Sequence, residues 1–253
     1  MQYKVGVDGY AEAFMERSSS RVRASAPPPS AFYWPEDEIA SGKLPANFKD
    51  VICAYFRAMH TLGHRLMHII CTALGTAYAP VFAAEGSGSA FSRPMHLLSM
   101  LRYDGTISDV NAALFGCGAH RDYGCLTILQ LDPVVGGLEV SVGEDSAGIP
   151  LYIPVEPIEG ALVINAGAML ERWSNGRVVA SLHRVVSKSS MPRFSMPFFF
   201  EPNIDAIVAP LPSCVASDGD SRSTMKPAKY EAISFASFLE HQFAKTNEVK
   251  ARV

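Results

Sequence analysis

Between residues 94 and 211 the chain rises repeatedly into short apolar, β-rich runs and breaks off each time at Gly, Pro, Asn or Asp. The runs are MHLLSMLRY, CLTILQL, GLEVSV, LYIPV, ALVIN, RVVASLHRVV, RFSMPFFF and AIVAPL. Short strands separated by turn signals at this spacing predict an antiparallel sandwich or barrel of jelly-roll type. Asn175-Gly176 is read as a hairpin turn, because both residues tolerate positive φ. The fold class expected is mainly β with flanking α-helices, around a double-stranded β-helix (jelly-roll) core.

The flanks differ in texture. From Pro45 to Gly75, the residues Phe48, Val51, Ile52, Tyr55, Met59, Leu62, Leu66, Ile69 and Ile70 recur at three- and four-residue steps, which predicts a long amphipathic helix stopped by Gly75. His60, His64 and His68 share a line at i, i+4, i+8. At about 100° per residue they fall opposite that stripe and are expected to face solvent. No Glu follows His60 to make a zinc-protease HExxH. Ile233 to Phe243 reads as a C-terminal helix with Phe235, Phe238, Leu239 and Phe243 as its buried stripe. Residues 17–31, rich in Ser, Pro and Arg, read as a connector. The whole is expected to be one domain: an irregular segment 1–44, a long helix 45–76, a jelly-roll core 94–211 and a C-terminal helical segment 226–253.

Size and charge bound the partners. A chain of 253 residues, 48% apolar and 19% charged, can bury a sizeable core. A formal charge of −3 with no basic cluster excludes an electrostatic footprint for nucleic acid, so the expected partner is a small molecule. Five scattered cysteines, without a CxxC pair, read as reduced thiols in a cytoplasmic setting. The first residues lack a signal core and no apolar run is long enough for a membrane span.

Against this background five residues stand out: His120, Asp122, His183, Arg193 and Ser195. Two imidazoles and one carboxylate can hold one face of a six-coordinate Fe(II) and leave the other positions open. On an extended strand, period-two geometry would send His120 and Asp122 to one face, and Arg193 and Ser195 likewise. The guanidinium fork matches a carboxylate, and Ser195 can add a hydrogen bond to it. Phe198, Phe199 and Phe200 suggest an apolar wall, in which an arginine calls for an anion. Singly, each residue also has a structural reading: a core histidine, a turn aspartate, an ion-paired arginine.

Together with LRYDG (101–105), GAHRDYGCLTIL, GGLEV, GALVINAGAMLERWSNG (160–176), LHRVV and RFSMPFFFEPN, these residues resemble the iron(II)/2-oxoglutarate-dependent dioxygenases of the isopenicillin N synthase-like superfamily. The likeness covers most of residues 30–245, and WPEDEIASGKLPANF and KPAKYEAISFASFLE resemble the flanking segments. It implies that His120, Asp122 and His183 bind Fe(II), that Arg193 and Ser195 bind 2-oxoglutarate, and that Tyr103 lies beside that cosubstrate. It further implies O2 as oxidant, ascorbate as a candidate reductant, and oxidation of a small organic substrate with release of succinate and CO2. Three positions depart from the family pattern: Asp104 stands for a proline, Ala168 for a frequent aspartate and Arg121 for a frequent threonine. The family's N-terminal region is longer than the 33 residues ahead of Trp34, so the chain is expected to be N-terminally short. Two other readings stay open: an oxidase of the same fold that does not use 2-oxoglutarate, and a catalytically weak metal-binding jelly-roll protein. A zinc hydrolase is more distant, since no general base stands beside the triad.

Overall fold

A computed structural model describes residues 2–6, 36–82, 89–110, 112, 114–216 and 226–250. The connector 17–31, Trp34-Pro35 and part of the Gly/Ser-rich loop 85–93 lie outside the described residues. Two antiparallel sheets carry the fold. The larger contains β1 (Gln2–Gly6), β2 (Leu97–Tyr103), β4 (Leu126–Leu131), β7 (Val163–Ala166) and β9 (Arg193–Phe200), in the order β1-β2-β9-β4-β7. The smaller contains β3 (Cys117–His120), β5 (Leu138–Glu144), β6 (Pro150–Pro154) and β8 (His183–Val185), in the order β3-β8-β5-β6. Side chains of both line one cavity, so the sheets face each other as a jelly roll does. The segment 1–44, expected to be irregular, contributes β1 as a partner of β2 and a short helix α1 (Glu36–Ala40).

Strand β9 shows how the pleat divides the two sides. Arg193, Ser195, Pro197 and Phe199 line the cavity between the sheets. Phe198 and Phe200 are fully buried on the other face, under helix α2 (Phe48–Ala73). The aromatic wall expected around Arg193 is therefore Phe199; its two neighbours belong to the helix–sheet core.

Helix α2 is where the sequence stripe and the buried face part company. The buried residues are Ile52, Phe56, Met59, Gly63, Met67 and Cys71, whereas Val51 and Ile69 are 54% and 64% exposed. Gly63 explains the rotation. It reads as neutral in an apolar pattern, yet it is the point of closest approach: a Cβ there would overlap the Phe200 ring. About two turns earlier, the Phe56 and Phe198 rings meet edge to face at 5.0 Å between centroids. The turned face carries His60 and His64 toward the sheet, so the solvent-facing expectation fails for both; only His68 is exposed. Gly75 does end the helix, with φ +72, and a short helix α3 (Ala79–Phe82) follows.

Two further segments depart from expectation. Asn175 and Gly176 adopt positive φ, as turn residues should, but they close helix α4 (Ala168–Trp173), not a hairpin. Ala168, Met169, Leu170, Glu171 and Arg172 are good helix formers, and Gly167 supplies an extended start. Only His183–Val185 of the run RVVASLHRVV pairs as strand. At the C-terminus, β11 (Ile233–Ser234) pairs with β10 (Ile207–Val208) before helix α5 (Phe235–Lys250) begins. Phe235, Phe238 and Leu239 are buried as expected, while Phe243 is 42% exposed.

Candidate active site

Seven strands and the turn at Asp122 converge on the cavity, whose volume is about 370 Å³. In the smaller sheet His120 and His183 are register partners across β3 and β8, with ring centroids 4.2 Å apart. Each ring turns Nδ1 to a backbone carbonyl: His120 to Gly118 O at 2.8 Å, His183 to Ser181 O at 3.0 Å. A ring that donates from Nδ1 keeps a lone pair on Nε2. Both Nε2 atoms point to Asp122 Oδ1, at 3.7 and 3.8 Å. The three ligand atoms lie within 4.8 Å of one another, a donor set suited to one cation.

Strand parity accounts for His120 but not for Asp122, which lies beyond the end of β3. A tight turn places it. The carbonyl of Asp122 accepts from Ala168 N at 2.8 Å, that of Gly124 from Met169 N at 2.9 Å, and that of Cys125 from Gly167 N at 2.9 Å. A Cβ on Gly167 would collide with the Gly124 carbonyl, so this approach needs glycine. The larger sheet then fixes the carboxylate: Thr127 Oγ1 on β4 and Asn165 Nδ2 on β7 both donate to Oδ2 at 2.6 Å. Oδ1 is left facing the imidazoles. Neither Thr127 nor Asn165 was singled out in the sequence, although both lie inside the motifs quoted above; an orienting residue has no spacing rule of its own.

Cys117 is a third unexpected neighbour, with Sγ 3.7 Å from His120 Nδ1. Contact with this sulfur, helped by the Gly118 carbonyl and the Asp122 carboxylate and opposed by burial, pushes His120 up to about 9. A cation therefore competes with a proton for this ring.

Arg193 and Ser195 face the same cavity from β9, only 3% and 5% exposed. Tyr103 is the cross-strand partner of Arg193, whose guanidinium carbon stands 5.0 Å from the tyrosine ring centre. Burial raises the Tyr103 pKa, with Arg193 opposing it. The guanidinium Nε and Nη1 are buried and have no hydrogen-bond partner. Desolvated N–H groups on a fixed cation are costly, and an acid entering the cavity would relieve part of that cost. The chain thus meets the requirements of both groups that the motifs implied: three convergent ligand atoms for a cation and a buried, incompletely satisfied guanidinium for an acid.

Comparison with known proteins agrees. Residues 96–202 match the 2OG-Fe(II) oxygenase superfamily. The chain belongs to this superfamily. Among curated relatives, the 2-oxoglutarate-dependent dioxygenase caaD of Aspergillus niger is 37% identical over 68% of this chain and 49% of its own length. The homoarginine-6-hydroxylase 2-ODD-233 of Oryza sativa subsp. japonica is 36% identical over 78% of this chain and 56% of its own. The chain thus spans about half the length of the curated relatives it matches. A full-length Neurospora crassa protein, solved in complex with alpha-KG (2-oxoglutarate), superposes with a TM-score of 0.68 at 25% identity, covering 96% of this chain and 65% of that one. Among the described residues no helix is long and apolar enough to cross a membrane.

Proposed function

We propose that the chain is the catalytic core of a non-haem Fe(II)- and 2-oxoglutarate-dependent dioxygenase that oxidises, by hydroxylation in the simplest case, a small organic substrate. His120, Asp122 and His183 hold the iron; Arg193 and Ser195 hold the distal carboxylate of 2-oxoglutarate, with Tyr103 beside it. The observation that carries this reading is the buried guanidinium of Arg193, its Nε and Nη1 without partners, in the same cavity as the three ligand atoms. With O2, the bound iron and cosubstrate supply the oxidising chemistry, releasing succinate and CO2. The chain's own groups orient and shield it. Thr127 and Asn165 fix one carboxylate oxygen, two carbonyls fix the imidazole tautomers, and Leu129, Leu138, Val140 and Val163 keep the cavity walls apolar.

A second cleft of about 700 Å³ shares His120 with the cavity and includes Arg121, Tyr123, Glu171 and Lys229 in its lining. It gives the small-molecule substrate an approach on the side where His120 is exposed, with 41% of its side chain accessible. All five cysteines are free, which suits a reducing, cytoplasmic setting.

The test is O2-dependent conversion of 2-oxoglutarate to succinate, with and without ascorbate, on a panel of small acids and amines. His183→Ala should abolish it. The fork of Arg193 accepts any carboxylate, so an oxidase of the same fold that does not use 2-oxoglutarate is the alternative. Anaerobic Fe(II) protein separates the two: a visible charge-transfer band on adding 2-oxoglutarate supports the dioxygenase, and its absence refutes it.

A further inference from the structure

On the face of the larger sheet away from the cavity, a second group of imidazoles collects. His60 and His64 stand one turn apart on α2 with ring centroids 4.6 Å apart. His96, the residue before β2, brings its ring to 5.1 Å from His60. One nitrogen from each of the three lies within 4.8 Å of the others. His68, the third histidine of the helical line, is not among them.

The hydrogen bonds fix what each ring offers. His96 is only 3% exposed, and its Nδ1 accepts the backbone N–H of Glu201 at 3.1 Å. The neutral ring therefore carries its hydrogen on Nε2, which is buried without a partner. His64 meets the Tyr78 hydroxyl through Nδ1, and its Nε2 is likewise buried and unpartnered. Phe91 and Phe200 stand edge-on to the His64 ring, and Phe200 stacks on His96 at 4.3 Å. Burial lowers all three imidazoles, His64 to about 4, with His60 adding to the effect on the other two. They are held neutral, the form in which a histidine binds metal.

We infer that His60 and His64 chelate a second divalent cation, of the Zn(II), Cu(II) or Ni(II) type, and that His96 Nε2–H donates to the water or hydroxide completing its shell. An imidazole-only donor set favours these borderline ions, whereas the carboxylate-bearing centre between the sheets suits Fe(II). The half-buried positions of His60 and His64 give the ion a path from solvent. Once bound, it ties α2 to the sheet, which raises the stability of the folded chain by mass action.

The experiment uses the full chain with the first centre silenced by Asp122→Ala and His183→Ala, and Zn(II) or Cu(II) as the probe. Equilibrium dialysis should find one equivalent of Zn(II), the melting temperature should rise with it, and the Cu(II) resonance spectrum should show two nitrogen donors. Adding His60→Gln or His64→Gln should weaken binding at least tenfold; adding His96→Gln should weaken it a few-fold and keep the two-nitrogen signature. Failure of the silenced protein to take up Zn(II) overturns the inference. So does a loss caused by His68→Gln but not by His60→Gln, which would assign the ion to a His64/His68 pair. Should the silenced protein fold poorly, the otherwise unmodified chain gives the same answer: two equivalents of Zn(II), falling to one in His60→Gln.

Discussion

Asn165 donates its side-chain amide to Asp122 Oδ2 at 2.6 Å, reaching from β7 of one sheet to a turn that follows β3 of the other. Thr127 occupies the same oxygen at the same distance, so Oδ1 alone is left to face His120 and His183. Which oxygen of the proposed ligand Asp122 is left for a cation is thus decided by residues that hydrogen-bond only the other one.

Removing one of the two donors should loosen that choice. Asn165→Ala is expected to lower Fe(II) affinity by about 10–100-fold, in the range typical of lost outer contacts to metal ligands. Anaerobic Fe(II) titration checks this; unchanged affinity would mean that Thr127 suffices.

Arg193 should act on the cosubstrate and leave the metal alone. Arg193→Ala is expected to weaken 2-oxoglutarate binding by about 1.5–3 kcal/mol, the usual worth of a hydrogen bond to a charged group. Arg193→Lys keeps the charge but loses the planar fork, so it should recover only part of the affinity. Titrating 2-oxoglutarate into the anaerobic Fe(II) protein reads both, and a lysine variant as tight as the parent would remove the bidentate argument.

Gly167→Ala tests the turn that carries Asp122. The added methyl has no room against the Gly124 carbonyl, and backbone cannot swing aside as a side chain can. Both melting temperature and Fe(II) affinity should fall together. A variant that loses stability while binding iron normally would show that the turn can shift without moving the carboxylate.

Gly63→Ala tests packing alone. Helix propensity favours alanine by up to about 1 kcal/mol, but overpacking a filled core costs roughly 1–3 kcal/mol. The Phe200 ring is fully buried and stacked on Phe91 and His96, so it has nowhere to retreat and the clash should win. We expect a melting temperature a few degrees lower with 2-oxoglutarate affinity unchanged; a more stable variant would contradict the packing described for α2.

Glu139 gives the acid side of the stability curve. Burial pulls its carboxyl upward, but hydrogen bonds from Lys188 at 2.8 Å and Arg184 at 2.9 Å outweigh that and hold it below the ordinary glutamate value of 4.5. The folded state therefore releases this proton more readily than the unfolded chain. Its contribution is present above about pH 4.5 and is lost as pH falls through the lower folded value. Glu139→Gln should flatten the melting temperature against pH in this window, and an unaltered slope would exclude Glu139 as its source.

Much of this was legible in the residues. The jelly-roll class followed from the short runs and their turn residues, and the alternation Arg193, Phe194, Ser195 correctly put the first and third on one face. What escaped depended on contacts between distant segments. A hydrophobic stripe counts side chains, so it could not register Gly63, whose lack of one lets Phe200 in and rotates α2. The same rotation took His60 and His64 from the expected solvent side into contact with His96. Asn175-Gly176 satisfied the local rule for a hairpin, yet the same positive φ also ends a helix, and the choice lay with the helix formers ahead of it. Asp122 could be picked by its place in HRD, whereas its orientation comes from β4 and β7, far along the chain.

The division of labour between the sheets has a mechanical consequence. His120 and His183 ride on one sheet, while the donors that aim Asp122, together with Arg193 and Ser195, ride on the other. Any sliding of one layer over the other would separate the imidazoles from the carboxylate and shift the acid-binding fork relative to the cation. The centre thus doubles as a gauge of how well the sandwich is closed: a substitution far from the cavity that lets the layers creep should be detected first as weaker iron, before any strand is lost.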